Sequence, residues 1–544
     1  MLRRTRTLLM AALYLLGSCA GPAGDDPERA ALPDGSYAVP IEFASGLPPL
    51  PEDRRAAELS GQTVQGSAAV DMSFNAAVSD TDLELVSSSN GTSWGIWRLA
   101  LGNNEPLSVE VLLDLPEGDE AWFALANYTT GRWQFDGPNV LGKVLQLQAA
   151  DHLSEAGNCY VGVIVAGGNQ ATVDRLVLTF DRTGWQVVTV EDSGVCAYTS
   201  LAEVDGNPAI AYCRDFDGNS TVQYVRSTTS SGFAAADWSQ KVTVDDAAFT
   251  SASLAVVDGH PALSYISADF KEVVYVRAST LTGAAGADWG GKVTVEDEMP
   301  LGHFGNKSEL AASGSSPVVS YSITDNFFET LMYTTGSFSI KQEVADGDLN
   351  EDWSMQRNSG DTPYISFCDF KELGFGRRIG GLWETNTLHT TEHRLTFSST
   401  TELALGRPAV CFHEAVSQDL YYMVSDTLAA EPADWGEPIP VHAMGDVGEH
   451  CSLATIQGRP AICYWDRTNG SLRYIKSTGN FGEQAADWLQ VPQVVDPKSK
   501  GYGEDGEVED QPGFHTSLAE IDGRPAVSYT TRFLGVLKYA VLWD

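Results

Sequence analysis

The chain has 544 residues, with 73 acidic side chains against 34 lysines and arginines and a formal net charge of −39 at neutral pH. A surface this acidic repels phosphate backbones, which excludes nucleic acid as an expected partner and leaves cations or basic proteins as natural counterparts. Hydrophobic residues make up 43% of the chain, enough for sizeable cores. Past the first residues, however, no apolar run approaches the roughly twenty residues of a membrane helix.

Arg3, Arg4 and Arg6 precede an apolar run from Leu8 to Leu16, the charged-then-apolar layout of an export signal. Leu16-Gly17-Ser18-Cys19 resembles the lipobox of bacterial lipoproteins. The resemblance implies a signal peptide over 1–18, cleavage before Cys19, and lipidation of the Cys19 thiol and the new amino group. An ordinary signal peptide with a chance cysteine is the alternative. Several acyl chains, each buried methylene worth about 0.8 kcal/mol, would tether the chain stably. With Ala20 where inner-membrane lipoproteins carry Asp, the expected place is the outer membrane or cell surface, with the membrane reached only through the lipid. Residues 19–65 are rich in Pro, Ala, Gly and charge, as in Pro48-Pro49-Leu50-Pro51-Glu52-Asp53, and read as a flexible stalk.

From 66 to 182, β-like runs alternate with turn residues: Leu107 to Leu113, Trp122 to Tyr128, Tyr160 to Ala166 and Val173 to Phe180. They predict a β-sandwich. Its Trp94, Trp97, Trp122 and Trp133 are candidates for a glycan platform or, more commonly for such residues, core aromatics.

Residues 183–544 repeat a phrase in which a Pro is followed four positions later by an aromatic residue. The pairs are Pro208 and Tyr212, Pro261 and Tyr265, Pro317 and Tyr321, Pro363 and Phe367, Pro408 and Phe412, Pro460 and Tyr464, and Pro525 and Tyr529. Ser253-Leu254-Ala255-Val256-Val257-Asp258-Gly259-His260-Pro261 shows the unit clearly: two apolar runs flank an Asp-Gly turn, which predicts a β-hairpin. Glu309-Leu310-Ala311 and Glu402-Leu403-Ala404 open drifted copies, and a degenerate copy surrounds Trp353. A third run ends near Tyr224, Tyr275, Tyr333, Phe375, Tyr422, Tyr474 or Tyr539, and a fourth usually begins at a Trp, as in Trp238 to Val244 and Trp488 to Val495. Four short strands per unit of about fifty residues predict a seven-bladed β-propeller. The seventh unit has three strands, and the orphan run Trp185 to Glu191 is expected to complete it and close the ring, removing exposed strand edges. The whole reads as an all-β chain. The repeat resembles the Ser-Leu-Ala-x-Val-x-Gly-x-Pro-Ala-x-x-Tyr blades of secreted bacterial propellers over about residues 185 to 544, a likeness specific to fold that carries no active-site residues.

In a propeller, the loops between strands two and three open on one face with the blade-connecting loops. Here they carry Asp215, Asp269, Asp325, Asp369, Glu414 and Asp466, which are the candidate ligand-binding residues. Ca²⁺ takes six to eight hard oxygen ligands, and two acidic segments space them suitably, through Asp215, Asp217 and Asn219, and through Asp346, Asp348, Asn350 and Asp352. Neither completes a helix-loop-helix calcium motif, and Asp and Asn are also common turn formers. With Cys19 lipidated seven cysteines remain, an odd number; Cys196 and Cys213, on the two arms of one hairpin, are the candidate disulfide. No His-Glu-x-x-His motif is present, and His413-Glu414 lacks a second histidine. The Asp-Trp pairs recur at four places without the Ser-x-Asp-x-Gly-x-x-Trp turns of sialidase blades, and regular recurrence points to a structural role. No catalytic residue is named. The expected function is non-catalytic binding of a glycan or surface protein through the acidic loop face, with a carbohydrate-active hydrolase or lyase using the same carboxylates as the alternative. If the acidic segments hold Ca²⁺, EDTA lowers the melting temperature; an unchanged melt after chelation speaks against it.

Overall fold

The computed structural model describes residues 46–51, 63–79, 81–101, 104–181, 183–216, 219–246, 248–267, 272–297, 307–325, 328–349, 353–357, 362–503 and 506–543. Cys19 and most of the segment read as a stalk lie outside them. The chain is all-β and divides into two compact units, the first ending at Arg182 and the second beginning at Thr183.

The first unit has two sheets. One runs in the order Ala76–Ser79, Asp82–Val86, Gln170–Asp181, Glu105–Asp114, Lys143–Gln146, with Thr63–Gln65 also paired to Gln170–Asp181. The other runs Val70–Phe74, Thr92–Ala100, Asn158–Ala166, Ala121–Asn127, Arg132–Asn139. Alternate residues of both, among them Leu83, Leu85, Val109, Val111, Trp97, Phe123, Val161 and Val163, form one shared core, as the two-residue period of a strand requires. Trp94 and Trp97 are buried, and Trp97 donates its indole N–H to the Gly66 carbonyl at 2.9 Å. The four tryptophans are therefore no open glycan platform: Trp122 and Trp133 are half-buried against a second cluster that includes Leu47 and Leu50. Residues 46–51 are likewise not free stalk, because Trp133 Nε1 donates to the Pro48 carbonyl at 2.8 Å and holds the segment on the sheet.

The second unit is a succession of antiparallel sheets, seven of them four-stranded among the described residues. In chain order the first six are Val195–Val204 to Lys241–Asp245, Ala248–Val257 to Val293–Glu296, Ser308–Ser313 to Lys341–Gly347, Trp353–Arg357 to Leu382–Thr390, Leu395–Glu402 to Ile439–His442, and Val447–Ile456 to Gln493–Asp496. The seventh joins Pro512–Ile521, Arg524–Thr531 and Leu537–Trp543 to Gly184–Glu191, which pairs with Leu537–Trp543 from Gly184 opposite Trp543 onward. The first strands of consecutive sheets touch in a closed cycle, the last against the first.

Three residue types of the repeat tie neighbouring sheets together. The Ser of the Ser-Leu-Ala phrase accepts a hydrogen bond from the following sheet's Leu N–H: Ser200 from Leu254, Ser253 from Leu310, Ser452 from Leu518 and Ser517 from Leu201, each at 3.0 Å. The third-strand aromatic meets a ring from the next sheet: Tyr224 and Trp289, Tyr275 and Phe338, Tyr333 and Trp383, Phe375 and Trp435, Tyr422 and Trp488, Tyr474 and Trp185, Tyr539 and Trp238, with centroids 4.9 to 5.3 Å apart. The tyrosine four residues after Pro donates to a buried acid that ends the preceding sheet's outer strand: Tyr265 to Asp245 at 2.6 Å, Tyr321 to Glu296 at 2.9 Å and Tyr529 to Asp496 at 2.8 Å. Lys292, Lys341 and Lys538 neutralise those same carboxylates, so the buried charge is paired and hydrogen-bonded.

The Asp-Trp pairs close short 3₁₀ turns ahead of the outer strands. Asp237 accepts from Thr229 Oγ1 and Ala234 N, while Trp238 Nε1 donates to the Gly232 carbonyl at 2.6 Å. Gly232, Gly283 and Gly482 all sit at φ near +60°, and a Cβ there would lie 2.7 Å from the tryptophan ring. In the fifth sheet Ala430 stands in at φ 50°, and its Trp435 bond stretches to 3.4 Å. The outer strands thus begin after the tryptophan, at Lys241, Val293, Ile439 and Gln493, rather than at it.

Two readings are corrected. Cys196 and Cys213 are both free and buried: the register sets Cys196 opposite Arg214 and Cys213 opposite Ala197, and this one-residue offset puts the two thiols on opposite faces of the sheet, in different clusters. Burial pushes both thiols up to about 12. The fifth sheet's first strand is Leu395–Glu402, so Ser399, not Glu402, takes the Ser position and accepts the Leu453 N–H at 3.0 Å. Ala404–Gly406 is instead a turn with Leu405 at φ 64°.

Trp488 is 3% exposed and clasps Tyr422, whereas its neighbour Leu489 is 80% exposed. Trp488→Ala is expected to cost about 3–5 kcal/mol in urea unfolding, and Leu489→Ala less than about 0.5 kcal/mol. Similar losses from the two changes would show that the aromatic contact does not hold the sheets.

Candidate functional site

The acidic residues expected to face a ligand are mostly consumed by the turns that carry them. Asp466 is fully buried, accepting from Asn469 N at 2.9 Å and pairing with Arg473 at 3.0 Å. Asp369 accepts the Asp348 N–H at 2.9 Å, and Glu414 accepts from Thr391 Oγ1 at 2.7 Å. Asp215 is exposed and accepts from Ser220 Oγ at 3.3 Å. Asp269, Asp217, Asn350 and Asp352 lie outside the described residues, and only the backbone is described at Asp325 and Asn219. Asp346 and Asp348 are exposed, with Asp346 accepting from Thr330 Oγ1 at 3.2 Å.

Two departures from the repeat, in the fourth sheet and ahead of the seventh, are also structural. Arg377 pairs with Glu431 at 2.6 Å, and Arg378 donates to Gln342 Oε1 at 3.1 Å and covers the Tyr333 ring. The inserted Ser499–Gly503 and Gly506–Asp510 form a hairpin.

A different group stands out where the fifth and sixth sheets meet. His413 is the penultimate residue of the fifth sheet's second strand, Pro408–Glu414, and is 3% exposed. Its Nδ1 is hydrogen-bonded to Thr396 Oγ1 at 3.0 Å, and its Nε2 is buried without a partner. Asp446 precedes the sixth sheet's first strand and Glu449 lies within it. A ring nitrogen of His413 and one oxygen each from Asp446 and Glu449 lie within 4.8 Å of one another. Asp446 Oδ2 accepts from Gln418 Nε2 at 3.1 Å, while Oδ1 is buried without a partner. Arg467 bridges the two carboxylates, 3.5 Å from each.

Burial drives the ionisation in this group. It pushes His413 down to about 4, so the imidazole is neutral at pH 7. It raises Glu449 above the usual carboxylate range, helped by the Asp446 charge beside it. Next to the group, the positive-φ positions of successive first strands hold rings: His450 lies 4.6 Å from Phe397 and 5.4 Å from His515, which lies 4.6 Å from Tyr198. The exposed Arg532 lies over Trp465, Phe514 and Phe533 at 5.2, 5.8 and 5.1 Å.

Sequence reading missed this group because His413 is far in the chain from Asp446 and Glu449 and each looks ordinary alone. The available signal was a break in symmetry: His413, His450 and His515 stand at strand positions where other sheets carry Cys213, Ser251 or Tyr198. A cavity of about 380 Å³ elsewhere, lined by Asp426, Glu437 and Glu483 among others, shares none of these residues.

No protein-family model matches the chain, and no curated protein matches it either. Among solved structures, it is similar to a sialidase from Streptococcus pneumoniae at 9% identity, covering 81% of this chain and 95% of that one with a TM-score of 0.39. It is similar to YCF48 bound to D1 peptide at 12% identity, 67% and 96% coverage and a TM-score of 0.35. An oligogalacturonate lyase in complex with manganese stands at 11% identity, 66% and 94% coverage and a TM-score of 0.39.

The histidines make a pH test. His413 and His515 are held near 4 by burial, and His450 well below its ordinary value. An unfolded imidazole titrates near 6.5, so as pH falls the unfolded state takes up protons first. Their contribution to stability is complete above about pH 6.5 and drains away toward pH 4. The melting temperature should fall across that window, less steeply in His515→Asn; an identical slope in the variant would refute the assignment.

Proposed function

We propose that the chain is a ligand-binding protein displayed on a bacterial surface through lipid at Cys19, with a seven-bladed β-propeller as its binding module. The ligand is an acidic glycan, and it docks at the group on the fifth and sixth sheets rather than across the whole acidic face. The observation that supports this is Arg532: on a chain with a net charge of −39 it is exposed, stacked on aromatic rings, and makes no hydrogen bond or ion pair through its guanidinium among the described residues. An unpaired guanidinium with five donors suits a carboxylate, and the aromatic rings around it limit the conformations it can take.

A carbohydrate-active hydrolase or lyase is the second reading. It is favoured by the pairing of a neutral histidine, His413, with a carboxyl group, Glu449, whose protonation is made easier by burial. Such pairs can share out acid and base roles.

A panel of uronate-containing, sialylated and neutral oligosaccharides tests both. Acidic members should be retained and neutral ones not, with Arg532→Ala weakening retention about 10- to 100-fold, the value of a lost charge-assisted hydrogen bond of about 1.5–3 kcal/mol. Retention of neutral sugars, or no effect of Arg532→Ala, refutes the binding reading. Appearance of cleaved products establishes the second one.

A further inference from the structure

We infer that His413, Asp446 and Glu449 form a mononuclear site for a divalent first-row transition cation such as Zn²⁺ or Mn²⁺. The inference does not depend on the glycan reading, because it concerns a cation and needs no part of Arg532.

Its first support is geometric: one nitrogen and two carboxylate oxygens lie within 4.8 Å of one another. Ligands about 2.1 Å from a common cation sit roughly 3–3.5 Å apart, so side-chain rotations of about an ångström complete the set. A second support is independent of the acids. His413 is nine-tenths buried or more, and its Nε2 has no partner. A buried, unsatisfied ring nitrogen carries a desolvation cost that a metal bond removes. With the proton on Nδ1 donated to Thr396 Oγ1 at 3.0 Å, the Nε2 lone pair is free, which is the usual arrangement of a metal-bound histidine with an orienting outer partner. Asp446 Oδ1, also buried and unpartnered, is the second such atom in the group.

The donor set selects the ion. Imidazole nitrogen with two carboxylates suits Zn²⁺, Mn²⁺ or Fe²⁺ and disfavours Ca²⁺, which binds through oxygen alone. Three protein ligands leave positions open for water or ligand. In the metal-free chain Arg467 supplies the positive charge, 3.5 Å from both carboxylates, and its half-exposed side chain is able to swing outward when a cation enters.

The test is titration of the purified full chain with Co²⁺, followed by visible absorption. One equivalent should saturate a band of nitrogen- and oxygen-ligated cobalt. Glu449→Gln and Asp446→Asn should each weaken binding at least tenfold, and Arg467→Gln, which removes the competing cation, should tighten it. His413→Gln should abolish the band; because that side chain is buried, the two carboxylate variants carry the test if it fails to fold. No saturable band in the wild type, a band unchanged in both carboxylate variants, or weakened binding in Arg467→Gln overturns the site.

Discussion

Everything in the second unit depends on the ring-to-ring contact that joins each sheet to the next. A four-stranded sheet has two faces and no core of its own, so its apolar side chains are buried only when neighbours cover both sides. The aromatic pairs from Tyr224 with Trp289 round to Tyr539 with Trp238 supply that cover at every junction. Once the contact is fixed, the other features of the repeat follow. The Asp-Trp turn exists to present a tryptophan, and the positive-φ glycine before it exists because a Cβ would collide with the indole. Pairing of Gly184–Glu191 with Leu537–Trp543 carries the same contact across the join between the two ends of the unit, where Trp185 meets Tyr474.

Asymmetry on this regular frame is what makes a site. The carboxylates that recur from sheet to sheet, such as Asp245, Glu296 and Asp496, are neutralised by lysine and capped by tyrosine, and so are spent on packing. His413, Asp446 and Glu449, where the fifth and sixth sheets meet, stand outside that recurring set, and two of their buried polar atoms are left unsatisfied. A scaffold of repeated sheets can thus hold one chemically distinct place at no cost to the remaining junctions.

The architecture was legible because its signals are local. An Asp-Gly turn, a Pro four residues before an aromatic, and a run such as Trp185 to Glu191 each specify their structure within a dozen residues. What escaped depends on register or on contacts across sheets. Cys196 and Cys213 look like partners until the one-residue offset of their strands is known, since each step along a strand reverses the face. Ser399 was hidden because its sheet turns through Ala404–Gly406 and shifts the count relative to Pro408. His413 and Glu449 meet only because two sheets pack, and Pro48 reads as stalk until Trp133 is found to bind it.

The fourth sheet is fastened differently from the others. Phe367 and Phe412 stand where a tyrosine hydroxyl would reach a buried acid, so neither of its two junctions has that bond. Arginines at the rim substitute for it, Arg377 toward Glu431 and Arg378 toward Gln342 and Tyr333. Glu431 is 57% exposed, so this attachment draws on charges that dissolved ions screen, over a Debye length of about 8 Å at physiological ionic strength. The fourth sheet's grip on its neighbours therefore follows, in part, the salinity of the medium.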